Sequence, residues 1–220
     1  MAAFHPRFED LPDTFAVFPL PGVLLLPHAK LPLNIFEPRY LAMTEDALAN
    51  GRMFAMIQPD PQSRDGPTGP GLYRIGCLGR LSSFSETDDG RLLIQLTGLA
   101  RFVIEEELEM RRGYRRVRGN FAAFRADLNP PPDPGEAVRA ALLEALRGYF
   151  ARAGIDANWD TIRRMPPAQL PLSLAMACPF APAEKQALME TSSLTDLPAT
   201  LLALLRMGAT EGTGGGRVVS

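Results

Sequence analysis

The hydrophobic pattern of this chain changes its period near residue 130. Before that point, apolar residues form short runs or alternate with polar ones, as in strands. Between residues 99 and 108, Phe102 and Ile104 share one face and Val103 and Glu105 share the other. An Asp-Gly pair at residues 89–90 predicts a hairpin turn. The predicted strands are residues 14–18, 53–58, 71–84, 91–96, 99–108 and 114–124.

After residue 135 the apolar period becomes helical. Val138, Leu142, Leu146 and Phe150 recur at four-residue steps and predict one apolar helix stripe. The predicted helices are residues 38–50, 136–153, 158–164, 167–177, 182–190 and 196–207. The run of prolines in residues 129–135 is typical of a semi-rigid spacer. We therefore predict a β-rich part (1–128), a proline-rich linker (129–135), a helical part (136–209) and a disordered tail (210–220).

The opening segment, residues 17–40, is apolar enough for a core yet contains five prolines. Each proline fixes its own φ, lacks a backbone N–H and biases the preceding residue toward extended geometry. This segment cannot be one helix or one uninterrupted strand. We expect several short extended pieces joined by bends, entering and leaving a sheet. The prolines are Pro19, Pro21, Pro27, Pro32 and Pro38.

Four motifs in order give the chain a resemblance to a known family. They are the opening with Phe18-Pro19-Leu20, Leu26-Pro27, Leu31-Pro32-Leu33 and Ile35-Phe36-Glu37-Pro38-Arg39-Tyr40; the strand from Ile75 to Leu81; Asp89-Gly90-Arg91 with Gly98-Leu99-Ala100-Arg101-Phe102; and the helix from Glu184 to Glu190. Together they resemble the Lon protease N-terminal, or substrate-binding, domain family. Cys77 stands where that family usually has threonine.

The resemblance implies an α+β fold: a PUA-like, mixed and mostly antiparallel β pseudo-barrel followed by a small α-helical bundle. It also implies a non-enzymatic binding protein that holds protein or peptide, including unfolded polypeptide, as an adaptor in proteolysis or quality control. Oligomeric state and the identity of the partner stay open. In the family, this domain accompanies a P-loop ATPase and a serine–lysine protease.

Neither of those catalytic sites is expected in this sequence. A P-loop needs a lysine directly after glycine, but Lys30 follows Ala29 and Lys185 follows Glu184. We expect Lys185 to be a solvated helix position, which is unsuited to a catalytic dyad. His28 has no nearby histidine or cysteine companion, and His5 lies in an expected loose terminus. We therefore expect no catalytic residue, metal or cofactor.

Composition limits the function further. The chain has 220 residues, 46% of them hydrophobic, with a net charge of −2 and a pI near 5.8, which argues against nucleic acid or an anionic membrane as the main partner. Residues 1–13 lack the apolar stretch of a signal peptide, so a cytoplasmic location is expected. Cys77 and Cys178 match no metal spacing and are expected to be free, buried thiols.

Three charged residues in apolar surroundings are candidate polar ties. Glu37 and Arg39 lie in the opening segment, where a charge must be paired or reach solvent. We expect them to bond with each other, with the backbone, or with Arg101.

Five apolar residues are candidates for partner binding, although a place in the core is the favoured interpretation for each. They are Met43, Phe54, Met56, Phe84 and Trp159. Flexible and aromatic side chains of this kind line many binding grooves, and the expected groove lies between the sheet and the helices.

Two alternative functions remain open at this stage. An arginine cluster with Tyr114 inside it favours RNA binding, a property of some PUA-like proteins. However, four glutamates precede the cluster at residues 105–109, and cross-strand pairing would neutralise it. The cluster consists of Arg111, Arg112, Arg115, Arg116 and Arg118.

The second alternative is an uncharacterised enzyme, which would need a pocket with convergent titratable groups.

Overall fold

The computed structural model describes residues 6–210. The strands are β1 (Thr14–Pro19), β2 (Lys30–Ile35), β3 (Met53–Ile57), β4 (Ile75–Glu86), β5 (Leu92–Arg111) and β6 (Tyr114–Asn120). The helices are α1 (Pro38–Ala49), α2 (Glu136–Ala153), α3 (Trp159–Arg164), α4 (Leu170–Ala177), α5 (Pro182–Met189) and α6 (Leu197–Thr210), with 3-10 segments at Phe8–Asp10 and Ala122–Leu128. His5 and all but the first residue of the predicted tail lie outside the described residues.

Five strands close into a barrel, and the sixth is attached to its outside. The strands are ordered β2-β5-β4-β3-β1-β6, and β5 also pairs with β6, which closes the ring. Only the β1–β3 pair is parallel. β2 pairs with β5 alone and therefore forms an open edge. The predicted α+β class with a mostly antiparallel pseudo-barrel is confirmed.

The described residues form two hydrophobic cores, one inside the barrel and one between the barrel and the helices. β3 shows the consequence most clearly. Ala55 and Ile57 point into the barrel, whereas Phe54 and Met56 point into the helix-facing core. A strand that is buried on both faces reads as a continuous apolar run, as residues 53–57 do.

Two strand predictions need correction. Residues 91–96 and 99–108 are not separate strands, because β5 runs without a break through Gly98. The strand predicted for 114–124 ends at Asn120, and a 3-10 segment follows. Asn120 causes this ending, since its side-chain oxygen accepts a hydrogen bond from the Ala122 amide at 2.8 Å and turns the chain.

The six predicted helices are all present, and their packing joins the two parts of the chain. The helix-facing core contains Leu142, Leu188 and Leu201 from the helices together with Cys77 and Leu96 from the sheet. The predicted division at residues 129–135 coincides with the change from strand to helix and stays a prediction as a domain boundary. Within residues 6–210, none of the helices combines the length and the apolar character needed to cross a bilayer.

Candidate functional site

The opening segment is held between barrel and bundle at Gly22. The Gly22 amide donates to Gln58 Oε1 at 3.1 Å, and the Gly22 carbonyl accepts from Lys185 Nζ at 2.7 Å. Lys185 is 8% exposed, so the prediction that it is a solvated helix position is wrong. Burial lowers the pKa of this lysine. The local sequence around Lys185 does not reveal this burial, because the Gly22 carbonyl that accepts its hydrogen bond lies far away in the sequence.

The other residues of the Glu-Lys-Gln motif, Glu184 and Gln186, also form hydrogen bonds that hold the fold together. Glu184 accepts a hydrogen bond from the Ala181 amide at 2.7 Å and caps α5. Gln186 donates to the carbonyl of Ile75 at 3.1 Å and is also bonded to Gln58. The motif therefore attaches α5 to the barrel.

A close backbone contact holds the segment against β5 at His28. The His28 amide donates to the Gly98 carbonyl, and the Gly98 amide donates to the Ala29 carbonyl, both at 2.9 Å. A Cβ on residue 98 would lie 2.0 Å from the Leu26 carbonyl oxygen, so only glycine fits there. His28 itself has a φ of 64°, a conformation in which histidine is less strained than branched residues. This contact fixes where the chain turns into β2.

The ring of His28 connects this turn to a buried ion pair. His28 Nε2 donates to the Asp127 carbonyl oxygen at 2.6 Å. The Asp127 carboxylate accepts from Arg101 Nε and Nη2, each at 2.8 Å, and from the Arg101 amide at 3.0 Å. The Arg101 and Asp127 side chains are 1% and 3% exposed. Arg101 also donates to the carbonyls of Met189 and Thr191, so it links β5 to the end of α5.

The other two predicted polar ties lie elsewhere. Arg39 and Glu37 form an ion pair of 2.8 Å on the surface, and both side chains are about half exposed (51% and 44%). The guanidinium of Arg39 also stacks over Tyr40, with its carbon 4.5 Å from the ring centre. Of the three arrangements expected for this pair, the structure therefore has the mutual one, and Arg101 is bonded to Asp127 instead.

A groove runs along both sides of the turn at His28–Lys30, and we call it the β2–α4 groove. One half, of about 530 Å³, lies between β2 and α4 and is lined by Leu31, Pro32, Ser173 and Met176. The other half, of about 550 Å³, lies between β5 and the chain after the second 3-10 segment and is lined by Leu99, Leu128, Pro130 and Pro131. Both halves are lined by His28, Lys30 and Gln169, so they adjoin at this turn.

The groove has the chemistry of a binding surface. Its walls are mainly apolar, with Lys30 exposed and His28 half-buried as the ionisable groups. Among the described residues that line it, none is acidic and none is a cysteine. Ser173 and Thr97 supply hydroxyls, but within the described residues neither hydroxyl is hydrogen-bonded to a side chain that could act as its base, so this lining lacks the convergent titratable groups that an enzyme needs. In the described part of the chain, no three potential ligands are grouped to hold a metal ion.

β2 borders the groove with an edge that resists strand pairing. Because the Ala29 carbonyl bonds to Gly98 on β5, the antiparallel alternation directs the polar backbone groups of Lys30, Pro32 and Asn34 away from β5. Pro32 has no N–H, so the middle of this edge lacks a donor. Such an edge discourages the addition of another strand. The groove is therefore bordered here by side chains and by an interrupted row of backbone donors.

The five residues predicted to bind a partner are not brought together. Met43, Phe54 and Met56 are at most 1% exposed and belong to the core. Trp159 is half-buried and packs against Phe150. Phe84 is 46% exposed and pairs with Ile94, at the same end of the sheet as the exposed residues Leu93 (47%) and Phe36 (59%). None of the five lines the groove.

Local sequence patterns do not reveal the groove because its walls come from five separate segments of the chain. The one available signal was the pair of residues His28 and Lys30, which are polar residues in an apolar, proline-rich segment.

Most of the arginine cluster is bonded to acidic groups. Arg115 and Arg118 pair across strands with Glu107 (2.7 Å) and Glu106 (2.6 Å). Arg111 and Arg112 instead contact α1, at Asp46 (3.3 Å and 2.9 Å) and, for Arg112, also at Glu45 (2.7 Å). These pairs reduce the positive charge available to phosphate groups. The RNA-binding alternative stays a prediction.

Comparison with known proteins agrees with the architecture. The Xanthomonas campestris Lon N-terminal domain protein has a TM-score of 0.58 at 22% identity, covering 86% of this chain and 97% of that one. The N-terminal domain of Mycobacterium avium complex Lon protease has a TM-score of 0.57 at 15% identity, covering 90% and 99%. At these identities the similarity establishes a shared fold.

Sequence relatives extend the comparison to full-length proteases. Lon protease 2 of Thermus thermophilus is 21% identical over 89% of this chain and 24% of its own length. Lon protease of Desulfosudis oleivorans is 29% identical over 42% of this chain and 12% of its own length. The chain thus spans a quarter or less of these relatives. The family model of the ATP-dependent protease La (Lon) substrate-binding domain matches residues 14–206, and the chain belongs to that family.

Proposed function

We propose that this protein is a non-catalytic substrate-recognition domain that holds extended polypeptide in the β2–α4 groove, as an adaptor in proteolysis or quality control. The observation that carries the proposal is the lining of the groove: two adjoining, mainly apolar depressions with few polar side chains. Membership of a substrate-binding domain family supports protein or peptide as the ligand class.

The rigidity of the groove supports the same function. Its floor is the His28 turn, which is fixed by two backbone hydrogen bonds to Gly98 and by the ring contact to Asp127. Because these contacts hold the floor in place before a ligand arrives, the floor loses little conformational freedom on binding. The buried Arg101–Asp127 pair lies directly behind this floor, since His28 is bonded to Asp127.

The test is a binding titration with a permanently unfolded, fluorescently labelled protein such as reduced and carboxymethylated lactalbumin. Ser173→Trp should fill the half of the groove beside α4 and weaken binding about ten-fold or more. Ala140→Trp, at an exposed position of α2, is the matched control and should change the Kd less than about two-fold.

Far-UV circular dichroism checks that both variants are folded. Absence of binding by the wild-type protein would contradict the proposed function. Equal binding by wild type and Ser173→Trp would place the ligand elsewhere, and Phe84→Ser would then test the exposed apolar end of the sheet.

A further inference from the structure

Lys30 occupies the centre of the β2–α4 groove. It lines both halves, together with His28 and Gln169, whereas the other wall residues belong to one half only. Its side chain is exposed at the start of β2, next to the fixed turn at His28. A ligand that fills both halves must therefore pass beside this ammonium group.

The charge of Lys30 is not balanced by the groove. The lining residues in the described chain include no carboxylate. The carboxylate behind the wall, that of Asp127, is buried, with each oxygen bonded to Arg101 at 2.8 Å. The groove therefore combines apolar walls with one central positive charge, which is complementary to a negative charge with apolar neighbours.

This inference rests on the proposed function and names its ligand more closely. We propose that the groove selects extended polypeptide segments in which a single acidic side chain is flanked on both sides by apolar residues, with Lys30 binding the carboxylate. The central position of Lys30 favours an acidic side chain within the segment over a chain-terminal carboxylate, since a chain end at Lys30 would leave one apolar half of the groove empty.

The first experiment measures binding of labelled heptapeptides by fluorescence anisotropy. The reference peptide has glutamate at its centre and alternating leucine and valine on both sides, with both termini blocked. Replacing the central glutamate by glutamine should raise the Kd about five-fold, and replacing it by arginine should raise it further. Moving the glutamate to the end of the peptide should weaken binding as much as glutamine does.

The second arm changes the protein. Lys30→Gln should remove the preference for glutamate over glutamine, and Lys30→Arg should retain it, because the positive charge is kept. Arg118→Gln on β6 changes the net charge equally and should leave the preference intact. Lys30 is exposed, so its replacement is compatible with folding.

Amine acetylation gives an independent readout, since the chain has only two lysines. Lys185 is buried and bonded to the Gly22 carbonyl, so Lys30 should be the reactive lysine side chain of the folded protein. The glutamate peptide should slow acetylation of Lys30, as followed by peptide mapping, more than the glutamine peptide does at equal concentration.

The outcomes separate the two proposals. If both peptides bind equally and Lys30→Gln has no effect, the acidic preference is refuted while peptide binding stands. If a terminal glutamate binds more tightly than a central one, the central placement is refuted. If no peptide binds and the unfolded protein does not bind either, the proposed function itself fails.

Discussion

At the scale of single residues, Arg101 stands out as a large charged side chain that is fully buried. A guanidinium without contact to water must have its donors satisfied, because desolvation of an unpaired charge costs several kcal/mol. Asp127 accepts hydrogen bonds from Nε and Nη2, and the carbonyls of Met189 and Thr191 accept from Nη1. The ring of Phe124 lies 4.4 Å from the guanidinium carbon. Removing one partner should leave a buried charge uncompensated.

Replacing Asp127 tests this constraint. Asp127→Ala should lower the free energy of unfolding by about 3–5 kcal/mol, because the charge of Arg101 stays buried without its counter-ion. Urea unfolding followed by Trp159 fluorescence measures the change. Glu106→Gln, which breaks an exposed ion pair with Arg118, is the control and should cost less than about 1 kcal/mol. A similar loss in both variants would contradict the assigned role of the buried pair.

A second residue-scale prediction concerns pH. The pKa of Glu107 is lowered, mainly because Arg115 donates to it and also because Thr68 does. Because the pKa of Glu107 is lower in the folded than in the unfolded state, the ionised carboxylate stabilises the fold at pH values above the unfolded-state pKa of about 4.3. This stabilisation is lost as the pH falls through the folded-state pKa. Glu107→Gln should therefore be less stable than wild type at neutral pH, with the gap closing below about pH 4. Urea titrations at several pH values measure the gap; a gap independent of pH would refute the assignment.

At the scale of elements, the attachment of β2 depends on Gly98. The opening segment approaches β5 so closely that a methyl group on residue 98 would overlap the Leu26 carbonyl. β2 can then pair with β5 from Lys30 to Ile35 and leave its other edge beside the groove. Pro32 fits this edge because its missing N–H faces away from β5.

Two glycine substitutions separate this effect from ordinary glycine energetics. Gly98→Ala should destabilise the fold by about 3 kcal/mol or more, since rigid backbone must move. Gly148→Ala is the contrast: it lies within α2, where the nearest atom to a new Cβ is 3.8 Å away, and it should stabilise by about 0.5–1 kcal/mol. Thermal unfolding measures both, and a stable Gly98→Ala variant would refute the close approach.

At the scale of the whole molecule, one core joins the barrel to the helices. Cys77 on β4 and Cys178 after α4 are both fully buried members of the helix-facing core. Burial raises the pKa of the Cys77 thiol, and it raises the pKa of Cys178 to about 12. Neither thiol should react in the folded protein at neutral pH.

These two thiols report on whether barrel and bundle unfold together. In rising urea, both should become reactive to a thiol reagent at the same denaturant concentration, and Trp159 fluorescence should change with them. Mass spectrometry of the labelled peptides distinguishes the two sites. If Cys178 reacts at clearly lower urea than Cys77, then the helical part unfolds on its own and the predicted boundary at residues 129–135 is a true domain boundary.

The local sequence was sufficient for much of the fold. The periods of apolar residues predicted all six helices and five of the six strands in outline, because periodicity reflects which side of an element is buried. Errors occurred where a local signal was weak, as at Asn120, whose side chain turns the chain within an apparent strand. The family motifs also lie in the sequence, and Glu184, Gln186, Gly98 and Arg101 all prove to hold the fold together.

The candidate site was determined only by tertiary structure. Phe54 and Met56 are core residues because a second layer of helices covers the outside of β3, and Lys185 is buried because Gly22 lies opposite it. The groove consists of segments about 20 to 65 residues apart in sequence, at Pro6, β2, β5, the chain near Pro130 and α4. Periodicity shows that a face is buried, but not which distant segment covers it. The sequence thus determined the elements and the family, and the packing of distant segments decided which surface remains open for a ligand.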